Sequence, residues 1–560
     1  MILASAERIR EYRDKGWWGS KTLLDYFREH VKEMPDRTAV VDPLNREELV
    51  GSGQERVTYA QLEQAVEAVA TALLNLGVAK DDIIMVQLPN TWELAMLYLA
   101  ISRSGGIISP VPMQWRLKEL EYVAKLTGAK GLITVRGFKG FDHWAMASKL
   151  RAKVQGLQHL LSLEDIRGFT RQKGDPAALD KVSVDADDIF TLCWTSGTEA
   201  EAKGCPLSHN NWIFQCSIGI RAAGIKKGDV QLTASPLVNM ASLGTTFTPW
   251  LILGGTYVLH HPFEPQLFVR QMIEEKVNYT LLVPAVANMI VKHPQADRFD
   301  LSSVRSITLG SAPPSLYTVQ EFKRRWGIEI GNIWGQNEGT GIVSGSVDVP
   351  DMEKRVDHLP QFGKPGARWD SNQDGMQTKL VDPNTGEVLT EIGAIGELAY
   401  KGPNVIAGYF KRPDLTEKSF DADGFFYTGD LFQIQAGNFI SFFDRKKDII
   451  IRGGYNISAQ EVENILMAHP KIADVAAVGL PDEVMGERTC VFVVVKPGQE
   501  VELQDLKSFM QEQGAAVYKL PERLELSEAI PRNPTGKILK AVLREQLKQK
   551  VASTATTNSN

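Results

Sequence analysis

The distribution of apolar positions over the first part of the chain predicts alternating helices and strands. Apolar residues at spacings of three and four predict a helix over 23–39. A second helical pattern covers 60–76, after a strand-like run at 57–59, and ends at Gly77, a residue typical of helix C-caps. The alternation continues as strand 83–88, helix 92–102, strand 107–110 and helix 118–126. This order is typical of a parallel sheet covered by helices.

The pattern repeats and then changes further along the chain. The next predicted elements are a strand around Leu259, helix 268–275, strand 279–283, helix 285–293 and strand 307–309. From about 363 to 440 the helical periodicity fades and Gly and Pro become frequent, which predicts a β-rich unit. A smaller α+β pattern then follows as strand 448–451, helix 459–469, strands 472–478 and 489–495, and helix 503–514.

We therefore expect an α/β fold with a large N-terminal domain and a small α+β C-terminal domain. The large domain, residues 1–444, should contain two helix-covered sheets and a β-rich subdomain at about 345–444. The small domain should cover 445–547. Residues 548–560 are polar and rich in Ser, Thr and Asn, so a disordered tail is predicted there.

Composition narrows the class of protein. The 560 residues are 43% hydrophobic and 23% charged, which is globular composition and excludes a wholly disordered or fibrous chain. The chain is too long for one ordinary core, so several folding units are expected. With 62 basic and 68 acidic residues the net charge is −6, which gives no electrostatic footprint for binding nucleic acid.

Neither a membrane segment nor a secretory signal is predicted. The most apolar helix-like stretch, 94–101, is far shorter than a membrane span, and the N-terminus has mixed charge without an apolar run. The four cysteines have spacings that match no zinc pattern, and so few in a long chain favour a reducing compartment. We therefore expect a soluble cytoplasmic enzyme.

The densest candidate site is the segment 195–204, which reads TSGTEAEAKG and follows an apolar strand. Its turn supplies hydroxyl and backbone N–H donors, and a lysine adds positive charge, a combination that suits a phosphate chain. The donors are Thr195, Ser196, Gly197 and Thr198, and the cation is Lys203. The Walker pattern GxxxxGK[ST] is absent. Taken alone, the segment is equally well explained as an exposed polar turn.

Further motifs follow in a fixed order: NIWGQNE at 332–338, FYTGDL at 426–431, DRKKD at 444–448, RGGYNI at 452–457 and PTGK at 534–537. Together with 195–204 they resemble the adenylate-forming superfamily of acyl- and aryl-CoA synthetases, peptide-synthetase adenylation domains and luciferases. The resemblance extends over roughly 23–543. The segments 10–18, 196–199 and 448–454 look most like bacterial short- and medium-chain acyl-CoA synthetases and cyclohexanecarboxylate-type CoA ligases.

The resemblance implies a two-step reaction. A carboxylate attacks the α-phosphate of ATP to give an acyl-adenylate and pyrophosphate, and a thiol, usually that of coenzyme A, then displaces AMP. The implied ATP- and AMP-binding residues are Thr195, Ser196, Gly197, Thr198, Lys203, Ser311, Ala312, Pro313, Trp334, Gly335, Gln336, Asn337, Asp430, Arg445 and Lys537. The implied acyl pocket contains Asn239, Met240, Gly310 and Gly335.

Several of these residues have individual implied roles. Trp334 would stack on adenine, with 311–313 on the other face, and Asp430 and Arg445 would bind the ribose hydroxyls. Glu338 would bind Mg²⁺, a hard cation that prefers oxygen ligands. The alternatives are a core aromatic for Trp334 and ordinary surface charges for the three others.

Lys537 is the residue expected to be central to catalysis, with Lys203 and Glu338. In-line attack brings two anions together, and a positioned cation offsets their repulsion as charge develops. The resemblance implies that the C-terminal domain is mobile and turns at Lys447. This motion would exchange Lys537 for the coenzyme A segment Arg452, Gly453, Gly454 and Tyr455. The alternatives are a solvated lysine at 537 and a hairpin turn at 453–454.

Three positions depart from the family pattern. Glu199 places a carboxylate in the phosphate loop, so retained but altered use of ATP is expected. Asn239 stands where many relatives have His or an aromatic residue. With its neighbour Met240, it leaves open which acid is bound and which thiol accepts the acyl group. Asn337 replaces a usual Thr or Ser and can still donate a hydrogen bond to phosphate.

The leading hypothesis is an ATP-dependent acid–CoA ligase for a hydrophobic monocarboxylic acid of short or medium chain, alicyclic or aromatic. Its substrates would be the acid, ATP and coenzyme A, with Mg²⁺ as cofactor. The rival is a stand-alone adenylating enzyme that passes the acyl group to a carrier-protein thiol or an amine. A non-catalytic adenylate-binding protein is the alternative outside enzymes. The oligomeric state stays undecided, with a homodimer as one alternative.

Overall fold

The computed structural model describes residues 1–195, 201–371, 375–453, 455–482, 484–532 and 537–557. The chain divides into two compact units. The first unit comprises the described residues up to 195 and those within 201–378 and 400–426. The second unit comprises those within 379–399 and 427–557.

The strands are numbered along the chain. They are β1 Thr38–Val41, β2 Arg56–Thr58, β3 Ile83–Gln87, β4 Ile107–Pro110, β5 Gly131–Thr134, β6 Gly137–Phe138, β7 Phe141–Asp142, β8 His159–Ser162, β9 Ile189–Trp194, β10 Gly204–Ser208, β11 Val230–Thr233, β12 Thr256–Leu259, β13 Tyr279–Leu282, β14 Ser306–Gly310, β15 Glu329–Gly335, β16 Gly341–Ser344, β17 His358–Pro360, β18 Gln377–Val381, β19 Val388–Leu389, β20 Ile395–Lys401, β21 Phe426–Gln435, β22 Phe439–Arg445, β23 Ile450–Arg452, β24 Tyr455–Ile457, β25 Ile472–Asp482, β26 Gly486–Val495 and β27 Arg523–Leu526.

The helices are numbered in the same way. They are α1 Ala6–Asp14, α2 Leu23–Glu33, α3 Arg46–Val50, α4 Tyr59–Asn75, α5 Trp92–Arg103, α6 Leu117–Thr127, α7 His143–Lys153, α8 Leu163–Thr170, α9 Pro176–Leu179, α10 His209–Ala223, α11 Met240–Ser242, α12 Thr248–Leu253, α13 Pro265–Glu274, α14 Pro284–Lys292, α15 Leu316–Trp326, α16 Met352–Arg355, α17 Pro413–Ser419, α18 Ala459–Met467, α19 Leu503–Glu512 and α20 Lys540–Thr557. Among the helices that the structure describes, none is long and apolar enough to cross a membrane.

The first unit contains two large sheets. One has the order β16-β15-β14-β13-β11-β12-β1-β2, with antiparallel strands at its two edges and parallel pairs between them. The other has the order β10-β9-β4-β3-β5-β8, in which β10 is antiparallel to β9. Phe268, Leu309 and Phe322 belong to the buried apolar cluster of the first sheet. Met85, Leu120 and Leu132 belong to that of the second. Helices therefore cover mostly parallel strands, as the alternating pattern predicts.

The second unit is built on antiparallel pairs. Strands β21 and β22 form a hairpin that pairs Asp430 with Arg445. Strands β24, β23, β26 and β25 form a further sheet, to which β27 adds in parallel with β26. Val462 of α18, Ala477 of β25 and Val491 of β26 are buried together in its core. The α+β character predicted for this part of the chain is confirmed.

The predicted fold class is confirmed, with one helix predicted too long. The helix predicted over 23–39 ends at Glu33, because Met34 precedes Pro35 and leaves the helical region (φ −146°, ψ 59°). The apolar residues that follow form the buried strand β1 instead. The domain limits 1–444 and 445–547 stay predictions, as does the tail, although α20 extends past 547 to Thr557.

Candidate active site

Thr195 and Lys203 close one hairpin loop between β9 and β10. The last strand pair places Trp194 opposite Gly204. Beyond it, Thr195 N donates to Lys203 O at 3.0 Å, and Lys203 N donates to Thr195 Oγ1 at 3.1 Å. The predicted cation and the first predicted hydroxyl therefore stand together at the base of the loop. The other loop predictions, Ser196, Gly197, Thr198 and Glu199, lie outside the described residues.

The two predicted adenine-binding segments lie at the carboxyl ends of neighbouring strands. Strands β14 and β15 are parallel partners. Ser311, Ala312 and Pro313 follow β14 directly and are exposed, while the half-buried Trp334 and the exposed Gly335 end β15. Ligands of open α/β sheets bind at this edge. The fold therefore brings together the residues that the motifs assign to either face of adenine.

Glu338 is buried beside Tyr409. The carboxylate residue is 7% exposed, and its Oε1 accepts a hydrogen bond of 2.8 Å from the Tyr409 hydroxyl. Lys203 Nζ lies 5.0 Å from the centroid of the same ring, a cation–π distance. Burial, reinforced by the charge of Glu338, raises the pKa of Tyr409 well above its usual range. The hydroxyl is therefore a permanent donor that orients the carboxylate.

Gly339 allows the chain after Glu338 to run against a neighbouring loop. Its φ is +92°, and a Cβ at this position would lie 2.0 Å from Asn404 O. We expect Gly339→Ala to lower the free energy of unfolding by more than about 3 kcal/mol, since it adds backbone strain to a direct overlap. Gly327→Ala is the matched control, because its φ is +70° and its Cβ would meet open space. That control should cost only about 1–2 kcal/mol. Urea unfolding followed by tryptophan fluorescence checks both, and equal losses would contradict the overlap.

Asn337 links the end of β9, directly before the predicted phosphate loop, to the predicted acyl pocket. Its Nδ2 donates to Trp194 O at 2.7 Å, and its Oδ1 accepts from Met240 N at 2.8 Å. Asn239 caps the short helix α11 by accepting from Ser242 N at 3.4 Å. The amide of Asn337 thus has a positioning role inside the fold, which the sequence pattern did not reveal.

The second unit holds the predicted ribose-binding pair. Asp430 is buried on β21, and its Oδ1 lies 3.6 Å from Nε of Arg445 on the partner strand. The residue before it on β21, Gly429, is held by Glu397, whose Oε1 accepts from Gly429 N at 3.0 Å. Oε2 of Glu397 accepts from Lys446 Nζ at 2.8 Å. The predicted carboxylate and guanidinium are therefore adjacent, and a second buried carboxylate, Glu397, contacts the chain neighbour of each of them, Gly429 and Lys446.

The remaining predictions of the second unit lie around β23, β24 and α20. Lys447 is exposed in a short 3-10 turn, and Arg452 forms a bidentate pair with Glu522 at 2.7 and 3.0 Å. The Tyr455 ring stacks on Tyr518 with centroids 4.4 Å apart. Gly454 and the residues 533–536 before Lys537 lie outside the described residues. Gly453 has φ +56°, and a Cβ there would meet Met485 at 2.7 Å.

Sequence reasoning missed Tyr409 and Glu397. Tyr409 follows a glycine in the segment Gly402–Tyr409, and Glu397 stands in a short β pattern, so each looks locally like ordinary turn or strand sequence. Their importance arises from partners distant in the chain, since Tyr409 and Glu338 are 71 positions apart.

Comparison with known families identifies the class of protein. The profile described as AMP-binding enzyme matches residues 27–410, and that described as AMP-binding enzyme C-terminal domain matches 461–537. The chain therefore belongs to the AMP-binding enzymes of the adenylate-forming superfamily, and it is an adenylate-forming ligase.

Individual relatives cover nearly the whole chain. The chain is similar to the medium-chain fatty-acid–CoA ligase of Escherichia coli (strain K12), at 29% identity over 97% of this chain and 94% of the relative. It is also similar to the 2,3-dihydroxybenzoate-AMP ligase of Bacillus subtilis (strain 168), at 28% identity over 97% of each. The solved structure of ATP-bound MatB from Rhodopseudomonas palustris has a TM-score of 0.78 at 25% identity, covering 94% of this chain and 99% of that one.

Proposed function

We propose that this protein is an ATP-dependent acid–CoA ligase for a hydrophobic monocarboxylic acid. The observation that carries the proposal is the arrangement of Lys203, Tyr409 and Glu338. Lys203, at the base of the loop, lies over the ring of Tyr409, and the buried carboxylate of Glu338 accepts a hydrogen bond from the hydroxyl of the same tyrosine. A triphosphate with its metal needs such a pair, because the lysine can neutralise phosphate while the carboxylate binds the metal.

The donor set suits Mg²⁺. Glu338 supplies a hard oxygen ligand, oriented by the Tyr409 hydroxyl. In the described ranges no group of three or more His, Cys, Asp or Glu side chains is arranged to hold a metal ion. Glu338 would therefore hold Mg²⁺ together with phosphate oxygens, which is the usual arrangement at nucleotide sites. When bound, the ion would neutralise charge on the phosphates.

The chain's own residues would divide the work of the first step. Trp334 and 311–313 would hold adenine at the carboxyl ends of β15 and β14, and Asp430 would accept hydrogen bonds from ribose. An oxygen of the acid attacks the α-phosphorus, the bond from the α-phosphorus to the bridging oxygen of pyrophosphate breaks, and pyrophosphate leaves. Lys203 and Lys537 would offset the charge that develops. In the second step the sulfur of coenzyme A attacks the carbonyl carbon, the bond from that carbon to the phosphate oxygen breaks, AMP leaves, and the thiol proton is released to solvent.

Coenzyme A is the proposed acceptor because the chain is similar over nearly its full length to a medium-chain fatty-acid–CoA ligase. The second candidate is transfer to a carrier-protein thiol. What favours an acceptor other than coenzyme A is a similarity of about the same extent to relatives from Bacillus subtilis and Vibrio cholerae that are named as 2,3-dihydroxybenzoate-AMP ligases, without coenzyme A in the name. Both candidates share the adenylate step and differ in the acceptor alone.

Mass spectrometry of reactions with ATP, Mg²⁺ and a panel of acids tests the proposal. The panel should include octanoate, cyclohexanecarboxylate, benzoate and salicylate, each with and without coenzyme A. We expect acyl-CoA and AMP for at least one acid class. Acyl-adenylate and pyrophosphate without thioester would overturn the coenzyme A assignment in favour of a carrier or amine. No product from any acid, with correctly folded protein, would count against the proposed substrate class.

Asn239→His should change which acids react. Asn239 caps α11 beside Met240, in the segment assigned to the acyl pocket, and histidine is larger than asparagine. Because one methylene in a hydrophobic pocket is worth about 1–3 kcal/mol, we expect the ratio of kcat/KM between the best and second acid to change by about 10-fold or more. Asn75→His, on the exposed end of α4, is the control. An unaltered acid profile would mean that Asn239 does not line the pocket.

A further inference from the structure

The N-terminal segment carries a sequence motif that the proposed reaction does not use. Residues 8–18, which we call the N-terminal strap, read RIREYRDKGWW. The Arg8 guanidinium lies 5.2 Å from the Tyr12 ring centroid and 5.9 Å from that of Trp18. The Tyr12 and Trp18 rings meet edge to face with centroids 5.0 Å apart. Tyr12 and Trp18 are both buried. The strap is thus a compact aromatic cluster built around one arginine.

The strap binds the backbone of a loop almost four hundred positions later. Arg8 Nη2 donates to Val405 O at 2.7 Å and to Gly402 O at 3.4 Å. Trp18 Nε1 donates to Pro403 O at 3.1 Å. The N-terminus therefore supplies donors to three backbone carbonyls of this loop. We call residues 402–409 the clasp loop.

The clasp loop in turn holds Glu338 from two directions. Ile406 N donates to the backbone oxygen of Glu338 at 3.0 Å, and the Tyr409 hydroxyl donates to its carboxylate at 2.8 Å. Asn404 O lies so close to Gly339 that a Cβ there would overlap it. The main chain and the side chain of Glu338 are thus both fixed by a loop whose own backbone is held by the strap.

We propose that the N-terminal strap is a positioning element for Glu338, acting through the clasp loop. This inference rests on the proposed function, in which Glu338 holds Mg²⁺. Arg8 and Trp18 are positioning residues: they contact the clasp loop, and through it they set the place from which the Glu338 carboxylate would meet the metal. Groups that hold a metal ligand through hydrogen bonds decide how well that ligand is oriented toward the metal.

Two features distinguish Arg8 as the residue to test. Pro403 O, the acceptor of Trp18, also accepts from Asn211 Nδ2 at 2.7 Å, so loss of the Trp18 donor is partly compensated. For Val405 O, Arg8 Nη2 at 2.7 Å is much closer than Asn211 Nδ2 at 3.4 Å. Arg8→Met removes the donors and keeps the length of the side chain, and Arg8→Lys restores a donating cation. Arg10→Met is the matched control on the same helix, since Arg10 is exposed and the described part of the chain shows no hydrogen bond from its side chain.

The first experiment measures acyl-adenylate formation against free Mg²⁺ with the full chain. We expect Arg8→Met to raise the Mg²⁺ concentration for half-maximal rate by about 10-fold, the scale of one lost charge-assisted hydrogen bond. The KM for the acid should change less than about 2-fold, since the pocket for the acid is not touched. Arg8→Lys should recover much of the loss, and Arg10→Met should behave as wild type. Trp18→Phe, which keeps an aromatic ring, should show a smaller change in the same direction.

A double-mutant cycle shows whether the effect passes through the clasp loop. In a Tyr409→Phe background the carboxylate has lost its hydroxyl partner, so Arg8→Met should add less than about 2-fold to the Mg²⁺ requirement. Fully additive effects of Arg8→Met and Tyr409→Phe would overturn the inference. A fall in kcat together with a similar rise in KM for every substrate would also overturn it, because that is the pattern of general damage to the fold.

Hydrogen exchange provides a readout that does not need activity. Arg8→Met should speed exchange of the Ile406 amide, which donates to Glu338 O, whereas Arg10→Met should not. Unchanged exchange at Ile406 would overturn the inference. If the wild-type chain makes no adenylate with any acid, the proposed function fails instead, and exchange at Ile406 still decides whether the strap holds the clasp loop.

Discussion

Lys537→Ala should reduce acyl-adenylate formation by about 100-fold or more, while thioester formation from supplied acyl-adenylate falls much less. The expected size is that of removing one preorganised charge from a site where anions meet. The difference between the half-reactions arises because the proposed hinge at Lys447 withdraws Lys537 after the first step. Single-turnover assays of pyrophosphate release and of thioester formation, run separately, measure the two effects.

Contacts within the second unit connect the helix that follows Lys537 to the proposed hinge. Lys540, three positions after Lys537, forms an ion pair of 2.9 Å with the buried carboxylate of Glu463. Arg544 donates to Asp448 Oδ1 at 2.8 Å and to Lys447 O at 3.1 Å. The helix that follows Lys537 is therefore tied to the proposed hinge itself, so Lys537 should move with it. Lys548→Ala, an exposed lysine of the same helix, is the control. Equal loss in both half-reactions would contradict the hinge assignment.

Arg46→Met should strongly destabilise the first unit. Arg46 is fully buried between the carboxylates of Asp42 and Glu93, and all three side chains are 0% exposed. A third carboxylate, the half-exposed Glu55, lies 3.3 Å from Arg46 Nη2. The same Nη2 lies 2.5 Å from Glu93 Oε1, and a further arginine, Arg167, lies 2.8 Å from that oxygen. Removing one partner of a buried ion pair leaves uncompensated charge and costs about 3–5 kcal/mol. Thermal and urea unfolding measure the loss.

The loss should depend on pH in a defined direction. Burial raises the pKa of Asp42 to about 7, although Arg46 opposes this. A carboxyl group whose folded pKa lies above its unfolded value of about 4 stabilises the fold most when protonated, so its contribution falls as pH rises from about 4 to 7. Without Arg46 the ionised form becomes still less favourable. The variant should therefore lose more stability at about pH 8 than at about pH 5.5, two values that lie on either side of the pKa of Asp42.

A matched surface variant separates burial from charge. Arg56 forms an ion pair with Glu275 at 2.6 Å, but its side chain is 51% exposed. Arg56→Met should change the unfolding free energy by less than about 1 kcal/mol at either pH, because solvent screens an exposed pair. A similar loss of unfolding free energy for Arg46→Met and Arg56→Met would contradict the claim that burial makes the Arg46 ion pairs costly to break. A larger loss for Arg46→Met at low pH would contradict the raised pKa of Asp42.

The sequence by itself determined the elements of the fold, with start and end positions close to those in the structure. The apolar runs predicted at 83–88 and 107–110 are strands β3 and β4, and the helix predicted over 60–76 is α4. Thr58 and Gln61 form a capping box that begins this helix, so its start is fixed by neighbours in the chain. Local periodicity and caps report which face of an element is buried, and these signals need no knowledge of distant partners.

The sequence also determined where two parts of the candidate site stand. Thr195 and Lys203 lie in one loop after an apolar strand, and Trp334 closes another strand, so their positions at strand ends follow from the pattern. The helix predicted past Glu33 was wrong because the effect of Pro35 on its neighbour outweighs the apolar spacing. Such local conflicts mark the limit of periodicity as a signal.

Tertiary structure decided which of these segments meet. The order of the sheet places β14 beside β15, and the clasp loop returns Tyr409 to Glu338 across 71 positions. The strap contacts Val405 across 397 positions, and Asn337 joins Trp194, at the end of β9, to Met240. These contacts depend on strand order and on buried polar groups finding partners, which no short window of sequence specifies. Candidate residues of the site could therefore be proposed from the sequence, but the groups that orient them appear only in the folded chain.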